Sequence, residues 1–231
     1  MNKGNILKRI NGKIWLMIAA GVLITITGIV FKQSFFRILP LYVSLVIGYL
    51  QTRMSRYAPL MGGINSILYT IVYFSYGLYA SAAYALLASC PLQLITFFRW
   101  SKRPYGDSTV FHALSWKQRG LVAAAFAVCW VILFVVLRLL GSSYQLLDNT
   151  VTLFGVLISI LTIYACIEYT WLMIPSGLIN IALYVAMIPA NPEQVTYLVF
   201  SIYSMICVSM GFVYARRLYR KQQQEALQQE A

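Results

Sequence analysis

The chain has 231 residues, 60% of them hydrophobic and only 10% charged, against about 45–50% apolar and about 25% charged for an ordinary soluble domain. Its net charge of +12 sits beside apolar runs and not on a polar surface interleaved with exposed aromatics, which excludes a nucleic-acid partner. The composition is that of a polytopic membrane protein.

A membrane span needs about 20 mostly apolar residues. Candidate helices in chain order run near 14–31, 38–52, 59–76, 79–98, 119–138, 149–167, 171–188 and 195–215. The first follows a basic head, Lys3 to Lys13, but no small-residue cleavage site follows it, so it reads as a retained helix and not a signal peptide. The third and fourth are separated by a short stretch with Gly77 at its bend. Pro91 and Pro175 fall inside helices and predict kinks. The tail from Lys221, KQQQEALQQE, is polar and reads as a solvated end.

Orientation follows from the bias of Lys and Arg toward cytoplasmic segments. With eight spans and both termini cytoplasmic, fifteen of the 18 basic residues fall on the inner side, and only Lys32, Arg37 and Arg138 fall outside. Seven spans would place one terminal cluster outside and spoil the asymmetry. A membrane that faces the cytoplasm, with both termini on that side, is the expected location.

The sequence repeats. GINSILY at 63–69 aligns with LINIALY at 178–184 at an offset of 115, pairing Asn65 with Asn180 and Tyr69 with Tyr184; the same offset pairs Ser44 with Ser159 and Phe97 with Phe212. Asn is uncommon within spans, so its recurrence outweighs matches between leucines. The offset carries helices two to four onto six to eight, a displacement of four spans that preserves direction, which gives parallel repeats about an axis along the membrane normal. The expected organisation is one membrane domain: an N-terminal helix over 1–37, a three-helix repeat over 38–103, a loop and linker helix over 104–148, a second repeat over 149–217 and a cytoplasmic tail over 218–231.

The six acids fall in loops, tails or at span ends, and no Lys or Arg sits in mid-span. A directly proton-coupled carboxylate and a phosphorylated passenger are both disfavoured, the second because a phosphate needs a cationic partner. What remains inside is hydrogen-bonding and aromatic: Asn65, Tyr69, Gln93, Asn180 and Tyr184, with Trp100 and Trp171 near helix ends. Amides grip hydroxyls and carboxamides, and ring faces stack on heterocycles or attract their positive charge. Each residue also has a structural reading, Asn as glue between helices and Trp as an interface anchor. His112, alone in its loop, reads as solvated; Cys90, Cys129, Cys166 and Cys207 lack metal-like spacing and read as small buried hydrophobes. No catalytic motif, metal site or cofactor is implied.

The stretches GGINSILYTIVYFSYGLYASAAY at 62–84, QLITFFRW at 93–100, the following SKRPYGDSTVFHALSWKQR, and WLMIPSGLINIALY at 171–184 resemble the PnuC family of vitamin-precursor transporters. The resemblance covers about residues 38 to 217. It implies an all-α fold of about eight helices with a 3+1+3 core similar to SWEET sugar transporters. It further implies facilitated diffusion of nicotinamide riboside or a similar unphosphorylated precursor, a cytoplasmic kinase that traps the product, and family positions matched by Asn65, Gln93, Trp100, Asn180 and Tyr184. Where family members carry Tyr, Gly and Trp before the last Trp of helix four, this chain has Ile95, Thr96 and Phe97. One turn after Trp171, a second Trp is replaced by Ile174 and Pro175. Thiamine, riboflavin and deoxynucleosides therefore stay open as passengers, and a non-transporting scaffold is the alternative outside transport. Membrane lipids are the other partner; a homo-oligomer is neither required nor excluded.

Overall fold

A computed structural model describes residues 3–139 and 144–230. Nearly all of them are helical: α1 (Lys3–Val30), α2 (Phe35–Gln51), α3 (Tyr57–Ser75), α4 (Tyr79–Ala83) running through a π-helical stretch (Tyr84–Ser89) into α5 (Cys90–Lys102), α6 (Trp116–Leu139), α7 (Gln145–Ile163), α8 (Glu168–Met187) and α9 (Val195–Glu230). Counting α4 to α5 as one rod gives eight, as the hydropathy predicts. Six are long and apolar enough to cross a membrane. Of the other two, α2 has 17 residues and α3 carries the polar stripe described below.

Within each half the chain packs in order, α2 on α3 on α5, and α7 on α8 on α9. The halves meet along two seams, α5 with α4 against α7, and α2 against α9, so the six close into a ring. The first helix, α1, lies outside against α2 and α9, and α6 lies outside against α7. Among its residues α6 buries only Leu137, as expected of a helix bathed in lipid along most of its surface.

Two turns show how deep the repetition goes. The first helix of each half ends in the same Schellman arrangement: Ser55 N donates to Leu50 O and Met54 N to Gln51 O in one, Cys166 N to Leu161 O and Ala165 N to Thr162 O in the other. Met54 and Ala165 both sit at positive φ, 51° and 52°, a left-handed conformation that costs a non-glycine residue about 1 kcal/mol or more. The turns correspond at an offset of 111, Met54 to Ala165, and α3 and α8 begin at the same offset. The 115 offset of the Asn motif is one helical turn longer. On the register of the turns, Asn65 corresponds to Ser176, and Asn180 to Tyr69. Adding four residues keeps a side chain on nearly the same face while moving it along the axis, which is how both registers fit one ring.

Pro91 produces a π turn. Lacking an N–H, it cannot bond the carbonyl four residues back, and the ladder is already wider there: Cys90 N donates to Ala85 O. Pro175 lies within a continuous α8.

The end that carries most of the basic residues is capped by the segment between α5 and α6, a small hairpin of β1 (Pro104–Tyr105) and β2 (Ser108–Thr109). Here the polar tail is mostly exposed, as a solvated end is expected to be, yet it also makes specific contacts. Helix α9 continues through it, and buried Gln222 receives Phe111 N at 2.9 Å and donates to Thr109 O at 2.9 Å, while Tyr105 donates to Glu225 at 2.7 Å. The tail is a strap over the hairpin. His112 is exposed, but its backbone bridges to the turn between α7 and α8.

Candidate functional site

Inside the ring lie two adjoining compartments of about 200 and 280 Å³ that share Gln51, Tyr84, Gln93 and Gly155 in their walls. Together they fall in the size range of small-molecule pockets, about 300–1,000 Å³. The compartment nearer the basic end is lined by Met54, Thr96, Trp100, Tyr169 and Thr170, among others. The other is lined by Ser44, Asn65, Tyr69, Tyr73, Thr152 and Asn180, among others. Every described lining residue is neutral.

The polar wall on α3 follows helical spacing: Gly62, Asn65, Ser66, Tyr69 and Tyr73 form one stripe. Asn65 is only 2% exposed. Its Nδ2 donates to Ser44 Oγ at 2.7 Å and Pro40 O at 3.1 Å, and its Oδ1 has no partner among the described residues. Tyr69 and Ser44 share a hydrogen bond of 3.0 Å, and the Tyr69 and Tyr73 rings stack at 5.3 Å.

The facing rod owes its polar wall to the π stretch. Ser81, Ala85, Ser89 and Gln93 all line the cavity, yet their spacing of four would carry an α-helix about 120° off over these residues. The wider π turn takes up the drift, a common use of such bulges near functional sites. Gln93 Nε2 donates to Ser89 Oγ at 2.7 Å and Ser66 Oγ at 3.2 Å, and Gly62 leaves it room: a Cβ there would stand 1.7 Å from Gln93 Oε1. Trp100, 3% exposed, donates to Thr162 O at 2.9 Å and meets Phe111 edge to face.

In the second half, Asn180 lines the cavity with its amide unengaged by any described residue. Ser159 bonds Tyr84 at 2.8 Å across the seam.

The seven residues named from the sequence thus divide. Asn65, Tyr69 and Asn180 line one compartment, Trp100 the other, and Gln93 both. Two stand elsewhere. Tyr184 is buried outside the cavity wall, in the cluster that Tyr69 and Tyr73 pack against, with its ring stacked on Tyr197 at 5.7 Å. Trp171, in the first turn of α8, is 47% exposed and lies in an outer groove with Trp116, Arg119 and Phe212. Lining residues missed from the sequence include Ser44, Ser66, Tyr84, Ser89 and Thr152. Serine and threonine in a span satisfy themselves on the preceding turn, as Ser66 does on Gly62 O, so their presence alone carries little signal.

One expectation about charge changes. Asp148 does lie at a span end, in the first turn of α7, but it is wholly buried there and holds a 2.5 Å hydrogen bond from Ser81. The interior of the bundle therefore does contain an ionisable side chain. Glu168, also at a span end, is buried too, its Oε1 accepting Arg119 Nη2 at 2.8 Å and Leu114 N at 3.0 Å.

A ring of two three-helix units around a neutral, hydrogen-bonding cavity defines a membrane carrier of the 3+1+3 class. The sequence profile of the nicotinamide mononucleotide transporter family matches residues 34–215, and the chain belongs to that family of membrane transporters. The crystal structure of the vitamin B3 transporter PnuC shares its fold, at a TM-score of 0.77 and 21% identity over 90% of this chain and 92% of that one. A search of curated proteins finds no match.

Proposed function

We propose that the chain is a uniporter that moves nicotinamide riboside, or a closely similar unphosphorylated precursor, by facilitated diffusion across a bacterial inner membrane. The observation that carries this reading is the cavity wall: amides, hydroxyls and aromatic rings, without one Lys, Arg or His among the described lining residues. A ribose and a carboxamide find partners there in Asn65, Gln93 and Asn180, and a flat heterocycle finds Tyr69 and Trp100. A phosphate finds none, and burying one unpaired would cost several kcal/mol. Although the family is described by the mononucleotide, this chemistry favours the riboside.

In this reading the basic end faces the cytoplasm, the passenger enters from the opposite side, and the two halves rock about the site. The protein performs no chemistry itself; a carrier of this kind only equilibrates its passenger, so net uptake depends on a cytoplasmic kinase. Asp148, buried away from the cavity surface, is not required to cycle a proton. The test is a thermal-shift and uptake series with purified, reconstituted protein, since a selective ligand raises apparent stability. Nicotinamide riboside stabilises the protein, the mononucleotide does not, and exchange into proteoliposomes persists when the proton gradient is collapsed. Stabilisation by the mononucleotide, or by thiamine, riboflavin or a deoxynucleoside instead, refutes the assignment, and loss of exchange without a proton gradient refutes the uniport mechanism.

A further inference from the structure

Asp148 takes no part in the mechanism just described, yet its setting is unusual. Its carboxyl group is 0% exposed, as is neighbouring Asn149. One oxygen accepts from Ser81; the other, Oδ2, has no partner among the described residues, and neither do Asn149 Oδ1 or Thr152 Oγ1. Three buried side-chain oxygens on two turns of one helix thus lack a partner among the described residues, and no Lys, Arg or His among those residues pairs with the carboxylate. A carboxylate within a membrane is costly and marks function by default. The first turn of α7 tolerates it, because the free N–H groups and helix dipole favour negative charge there, but they do not fill Oδ2.

Position says what the charge can do. Ser81, which holds one oxygen, lines the cavity, as do Val151 and Thr152 on the turn after Asp148. The charge therefore stands one side chain behind an otherwise neutral wall, where little water intervenes to screen it.

We infer that Asp148 is the counter-charge by which this cavity selects a heteroaromatic cation, a ring of pyridinium type, over a neutral ring of the same shape. The inference rests on the proposed passenger and adds the feature that distinguishes its charged form. Asp148 is a positioning residue for charge and does not touch the ligand. A unit charge about 8 Å away at an effective dielectric of about 20 corresponds to roughly a 30-fold difference in affinity.

The test measures equilibrium binding of nicotinamide riboside and of its neutral dihydropyridine form, which keeps the ribose and the carboxamide, to wild type and to Asp148→Asn. Wild type binds the cation at least tenfold more tightly, and D148N brings the two affinities to within about threefold while retaining the neutral ligand. A preference unchanged in D148N overturns the inference, as does a wild type without preference. Binding of neither form by wild type overturns the passenger assignment and this inference with it. Should D148N not fold, Asp148→Ser, which removes the charge and keeps a hydroxyl toward Ser81, is read the same way: the two affinities come to within about threefold, and a retained cation preference overturns the inference.

Discussion

Asn65 and Asn180 carry the same side chain on the same face of corresponding helices, yet their alanine variants should behave differently. Asn65 ties α3 to α2 through two hydrogen bonds, to Ser44 Oγ at 2.7 Å and Pro40 O at 3.1 Å. Hydrogen bonds between membrane helices average about 0.6 kcal/mol each and reach about 1.7, so Asn65→Ala should lower stability by roughly 1 kcal/mol and by no more than about 3. At about 2–4 °C per kcal/mol for a chain of this size, the melting temperature in detergent falls by a few degrees. Asn180 has no such bonds to lose. Asn180→Ala should leave the melting temperature of the ligand-free protein within about 1 °C, while weakening a passenger that its amide would otherwise grip by about 1 kcal/mol, or roughly fivefold in affinity. Melting curves with and without nicotinamide riboside separate the two effects. If N180A lowers intrinsic stability as much as N65A and leaves ligand-induced stabilisation untouched, both amides are glue between helices, and the binding role assigned to Asn180 is wrong.

Gly62→Ala should push Gln93 out of its bonds to Ser89 and Ser66, because the new Cβ would overlap Gln93 Oε1; with a flexible side chain yielding, the fold survives and the KM for uptake rises about tenfold, and an unchanged KM would remove Gln93 from the site. Glu168→Ala should destabilise the protein by about 1–2 kcal/mol, since it leaves Leu114 N without its acceptor and the 40%-exposed Arg119 without its partner; the heat midpoint reports it, and a neutral outcome would show that the hairpin segment is held by the strap from α9 alone. Burial, with the charge of Glu168 second, pushes the Cys166 thiol up to about 11. The raised value keeps it neutral at lower pH, with about one thiolate in a thousand at pH 8. A soluble maleimide should therefore leave Cys166 unmodified at pH 7–8 and label it increasingly toward pH 11; fast labelling at pH 7 would contradict the buried placement.

Periodicity and charge asymmetry made the helices and the repeat legible, because both are set by the membrane itself. Depth was harder to read. The Asn motif points to an offset of 115, while the turns at Met54 and Ala165 correspond at 111; an interior helix tolerates a shift of one turn without exposing its polar face, so sequence identity and geometric equivalence come apart. Direction around a helix was also hidden where the ladder is irregular. Ser81, Ser89 and Gln93 share a wall only because the π stretch resets the helical phase. Trp171 and Tyr184 were chosen for chemistry at plausible depths, but a tryptophan serves equally at the lipid surface, and a tyrosine equally in the layer behind a pocket. Asp148 was hidden by its place in the chain: at a span end, burial depends on what the neighbouring rod covers, here Ser81 on α4.

The two seams show why such a ring can move without coming apart. On one, Gly155 of α7 receives the ring of Tyr84, where a Cβ would stand 2.9 Å from its carbons; on the other, Gly48 of α2 receives the ring of Tyr203, where a Cβ would stand 2.8 Å away. Each tyrosine belongs to the third helix of one half and each glycine to the first helix of the other. Their hydroxyls are satisfied across the same seams, Tyr84 with Ser159 and Tyr203 with Leu45 O, both at 2.8 Å. The seams are pinned toward their ends by other bonds, Trp100 to Thr162 O and Ser81 to Asp148 on one, Tyr197 to Arg37 O on the other. In the proposed rocking, bonds toward one end must open while those toward the other hold. The pivot of that motion would lie beside the cavity, where a flat tyrosine ring meets a bare glycine backbone on each seam.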